Sequence, residues 1–184
     1  MGMAPPVGTH VEPQVFRQVL GHVPTTVTVV TASTADGPAG LVVGSFVSVS
    51  LEPPLVGVFI AESSASWPPM SGTGSFTVNV LAHDQQELCA RFARSGGDKF
   101  ADLTWWESPH GNPVLPGTTA WLDCLVQQVQ KLGDHFFAVA EVVGLGVAGS
   151  VPPMVFHRGA LHTVTGPAPA TPRTPHPTPG KGPS

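Results

Sequence analysis

Five short stretches of this chain hold the side chains whose types and spacing could do chemistry. They are Gly44, Ser45, Ser48 and Ser50 in "GLVVGSFVSVS"; the "AESSAS" run, Ala61 to Ser66; "GGDKF", Gly96 to Phe100; "GDH", Gly133 to His135; and "FHRG", Phe156 to Gly159. Each also has a plain reading. Serines in a strand face solvent, Lys99 is a solvated charge, His135 is a loop histidine, and "ESSAS" is a turn. Three hydroxyls beside backbone N–H groups equally suit a phosphate. All five stretches fall where strands end, so a barrel could bring them to one cleft. Spacing alone therefore reaches an antiparallel β-domain that could hold an anion.

Other chemistries lack their motifs. The one GxGxxG, Gly144 to Gly149, runs into Pro152-Pro153 and not into a helix, and none of the 21 glycines forms a P-loop, which removes the usual nucleotide-binding turns. Gly44-Ser45 is followed by strand, not helix, and lacks the second glycine of a nucleophile elbow. The eight histidines form no HExxH or two-residue ligand spacing, and His10, His162 and His176 sit at or near the chain ends, so no protein-bound metal is expected. Cys89 and Cys124 have no CxxC spacing and apolar neighbours, and read as buried free thiols.

Composition narrows the partners. A net charge of −4 and a pI of about 6.0 leave no basic footprint for nucleic acid or an anionic membrane surface. No stretch is apolar for long enough to cross a membrane, and the N-terminus has no leader pattern, so a cytoplasmic protein is expected. Only 11% of residues are charged against 41% hydrophobic, a balance that favours apolar contact with a second copy of the chain.

The elements that must position the five stretches are mostly strands. Residues 1–12 read as a flexible N-terminus, 13–165 as the folded domain, and the proline-rich 166–184 as a disordered tail, since it has no large apolar side chain for a core. "PQVFRQVLG" predicts a short amphipathic helix with Phe16, Val19 and Leu20 on one face. "TTVTVVTAS" predicts a strand turning at Asp36-Gly37 into the Gly40 stretch, which Pro53-Pro54 should stop. "LVGVFIA" and "FTVNVLA" follow as strands. "DQQELCARFARS" predicts a helix capped by Asp84 with Glu87 three residues on. Residues Ala120 to Val129 and "HFFAVAEVVGLGVA" pair across Gly133-Asp134, and "PMVFHRGALHTV" closes as a hairpin turning at Arg158-Gly159. About seven strands and two helices make a mainly β, antiparallel barrel or sandwich rather than a βαβ sheet.

The order of the motifs resembles a known family. "FRQVLGHVPTTVTVVTA", "GLVVGSFVSVSLEPPLVGVFIAESSAS", "SFTVNVLAHDQQELCARFA", "GGDKF", "AWLDCLVQQV", "GDHFFAVAEV" and "FHRGAL" succeed one another as in the short-chain flavin reductases, the reductase components of two-component flavin monooxygenases. The resemblance implies an FMN-binding split barrel and a homodimer. It implies an NAD(P)H:flavin oxidoreductase that takes a hydride from NADH or NADPH onto FMN or FAD and passes the reduced flavin, by diffusion, to a partner monooxygenase. Carried over, Val42, Val43, Gly44, Ser45 and Phe46 would line the isoalloxazine, with Ser48 near the nicotinamide. Ser63, Ser64 and Ser66 would take the flavin phosphate, with Lys99 and Phe100 completing that side. His135 would be catalytic, and Phe156, His157, Arg158 and Gly159 would complete the nicotinamide side.

Two other readings use the same barrel. In one, the pocket is recast around a small hydrophobic metabolite and works without redox, as a cyclase or isomerase would. In the other, the chain is a non-catalytic flavin-binding or partner-docking protein.

Overall fold

The computed structural model describes residues 11–147, 151–164 and 166. The expected flexible ends lie almost wholly outside the described residues, and so do His10 and His176.

Helix α1 is Pro13–Leu20. Pro13 starts it, where a missing N–H removes no helix bond, and Gly21 ends it by donating its own N–H to Arg17 O and Val19 O. None of its residues is buried, so the apolar face of Phe16, Val19 and Leu20 looks outward and not into the core.

Strands β1 (Thr25–Thr26), β2 (Thr28–Thr34) and β3 (Gly37–Val43) come next. The predicted turn between β2 and β3 forms at Ala35-Asp36, because Gly37, at φ +111°, already pairs with Thr34. Strands β4 (Val47–Leu51) and β5 (Pro54–Ala61) follow as a hairpin. Here the proline pair differs from the expected stop: Leu51 pairs with Pro54, so Glu52 and Pro53 form the hairpin turn and Pro54 opens β5. Proline is tolerated at both places because neither needs a ladder donor.

Helix α2 (Trp67–Ser71) is an addition to the two expected helices. Its early prolines need no N–H partner, and it buries Trp67 and Met70. Strand β6 is Ser75–Val80 and helix α3 is Gln86–Ala93. The predicted Asp84 cap does not form. Gln85 occupies the cap position, and its side chain is committed elsewhere, accepting from Ala82 N and donating to Pro116 O. The remaining strands are β7 (Trp106–Glu107), β8 (Pro113–Val114), β9 (Ala120–Leu132), β10 (His135–Val147), β11 (Met154–His157) and β12 (Ala160–Thr163).

Seven strands make one antiparallel sheet in the order β3-β2-β6-β9-β10-β5-β4, and β11 joins β1 and β12 in a smaller one. Strands β3 and β4 are the two opposite edges of the large sheet, yet only Gly44, Ser45 and Phe46 separate them in sequence. Four residue steps reach at most about 14 Å. The sheet must therefore curl until its edges nearly meet, which makes a barrel with one open seam.

Residues Thr28 to Ala32 of β2 are all buried because both faces of the strand are covered. Val30 packs inside the barrel with Val58, Ile60 and Phe76, whereas Val29 packs outside it with Leu81, Phe92 and Met154 beneath α3. The loop carrying β7 and β8 is tied to the barrel by Asp123, a fully buried carboxylate. It accepts from Ser108 Oγ at 2.9 Å, His110 N at 3.0 Å and His110 Nδ1 at 2.7 Å.

Candidate functional site

The seam is where the site lies. Ser45 bridges it, donating its hydroxyl to Phe59 O at 2.8 Å and accepting from Phe59 N at 3.0 Å. One side chain thus supplies the ladder rung that β4, which first pairs with β5 at Val47, has not yet begun to supply. Gly44 serves the same crossing: a Cβ there would stand 2.9 Å from Thr25 Oγ1, so the absence of a side chain lets β1 and the seam approach.

A cleft of about 670 Å³ opens along this seam. One wall is apolar, formed by Leu41, Val42 and Val43 of β3 and by Phe59 and Ile60 of β5. Phe59 is held by a stacked contact with Phe137, their ring centroids 4.4 Å apart. Gly57 makes room for that stack, since a Cβ on it would come within 2.5 Å of the Phe137 ring.

The polar end is the turn after β5. Ser63, Ser64 and Ser66 line it, and Ser64 N is bonded to Ala61 O. Ser66 Oγ accepts from Lys99 Nζ at 3.0 Å. Lys99 also donates to Gly40 O at 3.1 Å and Phe92 O at 2.9 Å, which ties the "GGDKF" loop to β3 and α3. Desolvation by burial lowers its pKa.

His135 reaches the same end from β10, opposite Ala61. Gly133 at φ +62° and Asp134 make the two-residue turn before it, as the sequence predicts, and Asp134 O accepts from Glu62 N. The Asp134 carboxylate stands 2.7 Å from His135 Nδ1. A carboxylate only accepts, so Nδ1 carries the hydrogen and Nε2 is left for the cleft. The hydrogen bond from His135, and then its charge, hold Asp134 below its ordinary pKa.

The structure brings Val42, Val43, Gly44, Ser45, Ser63, Ser64, Ser66, Lys99 and His135 to one cleft. The others stand elsewhere. Phe46 packs against the barrel core, and Ser48 is exposed on β4. The Phe100 ring is buried edge-on between Phe92 and Trp105. Phe156 pairs with Thr25, while His157, Arg158 and Gly159 lie at the β11–β12 turn, where Arg158 N donates to Gly21 O. Thr25, Phe59, Arg94 and Ser95 line the cleft without having been singled out from sequence. Arg94-Ser95 directly precedes "GGDKF", which was the available signal; Thr25 and Phe59 had none.

Comparison with known proteins agrees with this geometry. The flavin reductase like domain family matches residues 20–165. A flavin reductase of Pseudomonas putida is 44% identical over 154 residues, covering 83% of this chain and 91% of that protein. The reductase subunit HsaB of a flavin-dependent monooxygenase of Rhodococcus jostii is 42% identical, covering 81% of this chain and 76% of that one. An NADH:FAD oxidoreductase of Streptomyces globisporus, solved with NAD and FAD fragments, superposes with a TM-score of 0.80 at 30% identity, over 88% of this chain and 99% of that one. A split barrel with its cleft at the seam, matched along nearly all of its folded length, places this chain in the flavin reductase family.

Proposed function

We propose that this chain is an NADH-dependent flavin reductase that reduces FMN or FAD and supplies the reduced flavin to a separate flavin-dependent monooxygenase. The observation that carries the reading is the seam cleft, whose features fit a flavin. Its flat apolar wall suits the faces of an isoalloxazine, Gly44 leaves the ring edge open to backbone, and the serine turn with its nearby cations suits a phosphate.

When bound, the two cofactors supply the chemistry, a hydride transfer from nicotinamide to isoalloxazine, and the protein contributes position. Val42, Val43 and Phe59 exclude water from the reacting faces. Ser63 and Ser64 offer hydroxyls to the phosphate, and Ser66 is oriented by Lys99. His135, its tautomer held by Asp134, presents Nε2 to orient the nicotinamide. The Phe156–Gly159 turn and Ser48 would come to the nicotinamide side through the second copy of a homodimer in the cytoplasm, the arrangement that the outward apolar face of α1 supports.

The test is direct: purified protein, NADH and either flavin are mixed in air, and NADH loss is followed against a protein-free control. Loss that depends on added flavin supports the reading. No loss, with no flavin taken up on titration, overturns it.

A further inference from the structure

Lys99 is the cation that "GGDKF" presents beside the serine turn, yet its three ammonium hydrogens already go to Gly40 O, Ser66 Oγ and Phe92 O. An ammonium has no fourth donor. Arg94 is in the opposite condition. It is exposed on the wall of the same cleft, and its guanidinium has no hydrogen bond or ion pair to any described residue. Five donors in a planar fork are thus available where the phosphate end of a flavin would emerge.

The cleft also continues past Arg94. Arg94 and Lys99 both wall an adjoining depression of about 290 Å³. Gly96 and Gly97, at φ +73° and +74°, form part of it, and a Cβ on either would meet nothing within 4 Å, so the surface there is open. Asp102, also on its wall, is exposed.

FMN ends at one phosphate, whereas FAD carries a second phosphate, a ribose and an adenine beyond it. We propose that Arg94 is the residue that selects FAD: its fork bonds the diphosphate at the junction of the two hollows, the adenosine lies over Gly96-Gly97, and Asp102 accepts from the ribose hydroxyls. A carboxylate at that place suits an ADP-type end with free hydroxyls and repels one carrying an added phosphate. The inference rests on the flavin reductase reading and names its preferred flavin. NADH also ends in an ADP-type group, so the test must separate the two.

The experiment is calorimetric titration of the wild type, Arg94→Ala, Arg94→Lys and Asp102→Ala with FAD, FMN and riboflavin in the absence of NADH. The wild type should bind FAD more tightly than FMN. Arg94→Ala should weaken FAD about tenfold more than FMN, the scale of one lost charge-assisted hydrogen bond. Arg94→Lys should recover part of that loss, and Asp102→Ala should reduce FAD affinity alone. Equal wild-type affinity for the two flavins, or equal weakening of both by Arg94→Ala, overturns the inference. So does a rise in the NADH KM of Arg94→Ala, measured with FMN as acceptor, while the FAD-to-FMN ratio stays as in the wild type. Failure of the underlying reading looks different: the wild type then binds neither flavin and oxidises no NADH with either.

Discussion

Thr25 Oγ1 stands 2.9 Å from the point where a Cβ on Gly44 would lie, so a side chain at residue 44 would force the threonine hydroxyl of β1 to shift. The Thr25 Cβ and Thr26 O lie 3.5 and 3.6 Å from the same point, at ordinary contact, so the hydroxyl is the group that must give way. Gly44→Ala should therefore destabilise the fold by about 1–3 kcal/mol, the usual cost of overpacking. Thr25→Ala in the same chain should restore part of the loss. Denaturant midpoints of the two single variants and the double variant check this, and simple additivity would show that the contact is not the cause.

Ser45 predicts a second effect at the same place. Its hydroxyl both donates to and accepts from the Phe59 backbone, so Ser45→Ala leaves an N–H and a C=O of β5 without partners. We expect a loss of about 1–3 kcal/mol. Hydrogen exchange should show the Phe59 amide losing protection while those of β9 keep theirs.

For His135, the expected split is kinetic. His135→Ala should lower flavin-dependent NADH turnover about tenfold or more and change flavin affinity little. A loss of flavin binding instead would assign the imidazole to the flavin. The partnering Asp134 has a depressed pKa, so whatever stability the pair contributes is present above the ordinary carboxylate value of about 3.9 and is lost as pH falls through the lower folded one. Unfolding curves should consequently show the stability difference between wild type and Asp134→Asn shrinking as pH falls below the ordinary carboxylate value.

The apolar face of α1 bears on assembly. Phe16, Val19 and Leu20 are 54%, 61% and 49% exposed, and Leu51 at the end of β4 is 90% exposed. A second copy of the chain would cover such surfaces. Sedimentation equilibrium should return twice the 19.0 kDa chain mass, and Phe16→Asp with Leu20→Asp should shift it toward the monomer. A wild type that sediments as a monomer overturns the homodimer.

The two thiols should be inert in the native state. Burial raises the Cys89 pKa, and burial followed by the neighbouring Asp123 carboxylate pushes Cys124 up to about 12. Ellman's reagent near pH 8 should label neither until denaturant is added. Since the folded pKa of Cys124 lies above the ordinary thiol value of 9.0, the stability linked to that proton is complete below pH 9 and is lost as pH rises toward 12. Rapid native labelling of Cys124 would contradict its burial.

Local sequence determined the strand ladder because its signals are local. β-branched runs, the Gly133-Asp134 turn and the Phe16 helix spacing act over a few residues, but the stretch from Gly40 that reads as one strand is split into β3 and β4 on opposite edges of the large sheet, and the closing hairpin lies in the smaller one. The order of the polar stretches was likewise legible, and nine of the candidate site residues they contain do meet in one cleft. The cap of α3 was misread because Gln85 bonds to Pro116, 31 residues away, and no local rule weighs that competitor. Helix α2 was hidden by a proline pair that reads as a break unless it falls in a first turn. Only the tertiary structure could decide the seam. That Ser45 completes a strand and that Lys99 is already saturated depend on partners up to 59 residues away in sequence, brought together by the fold.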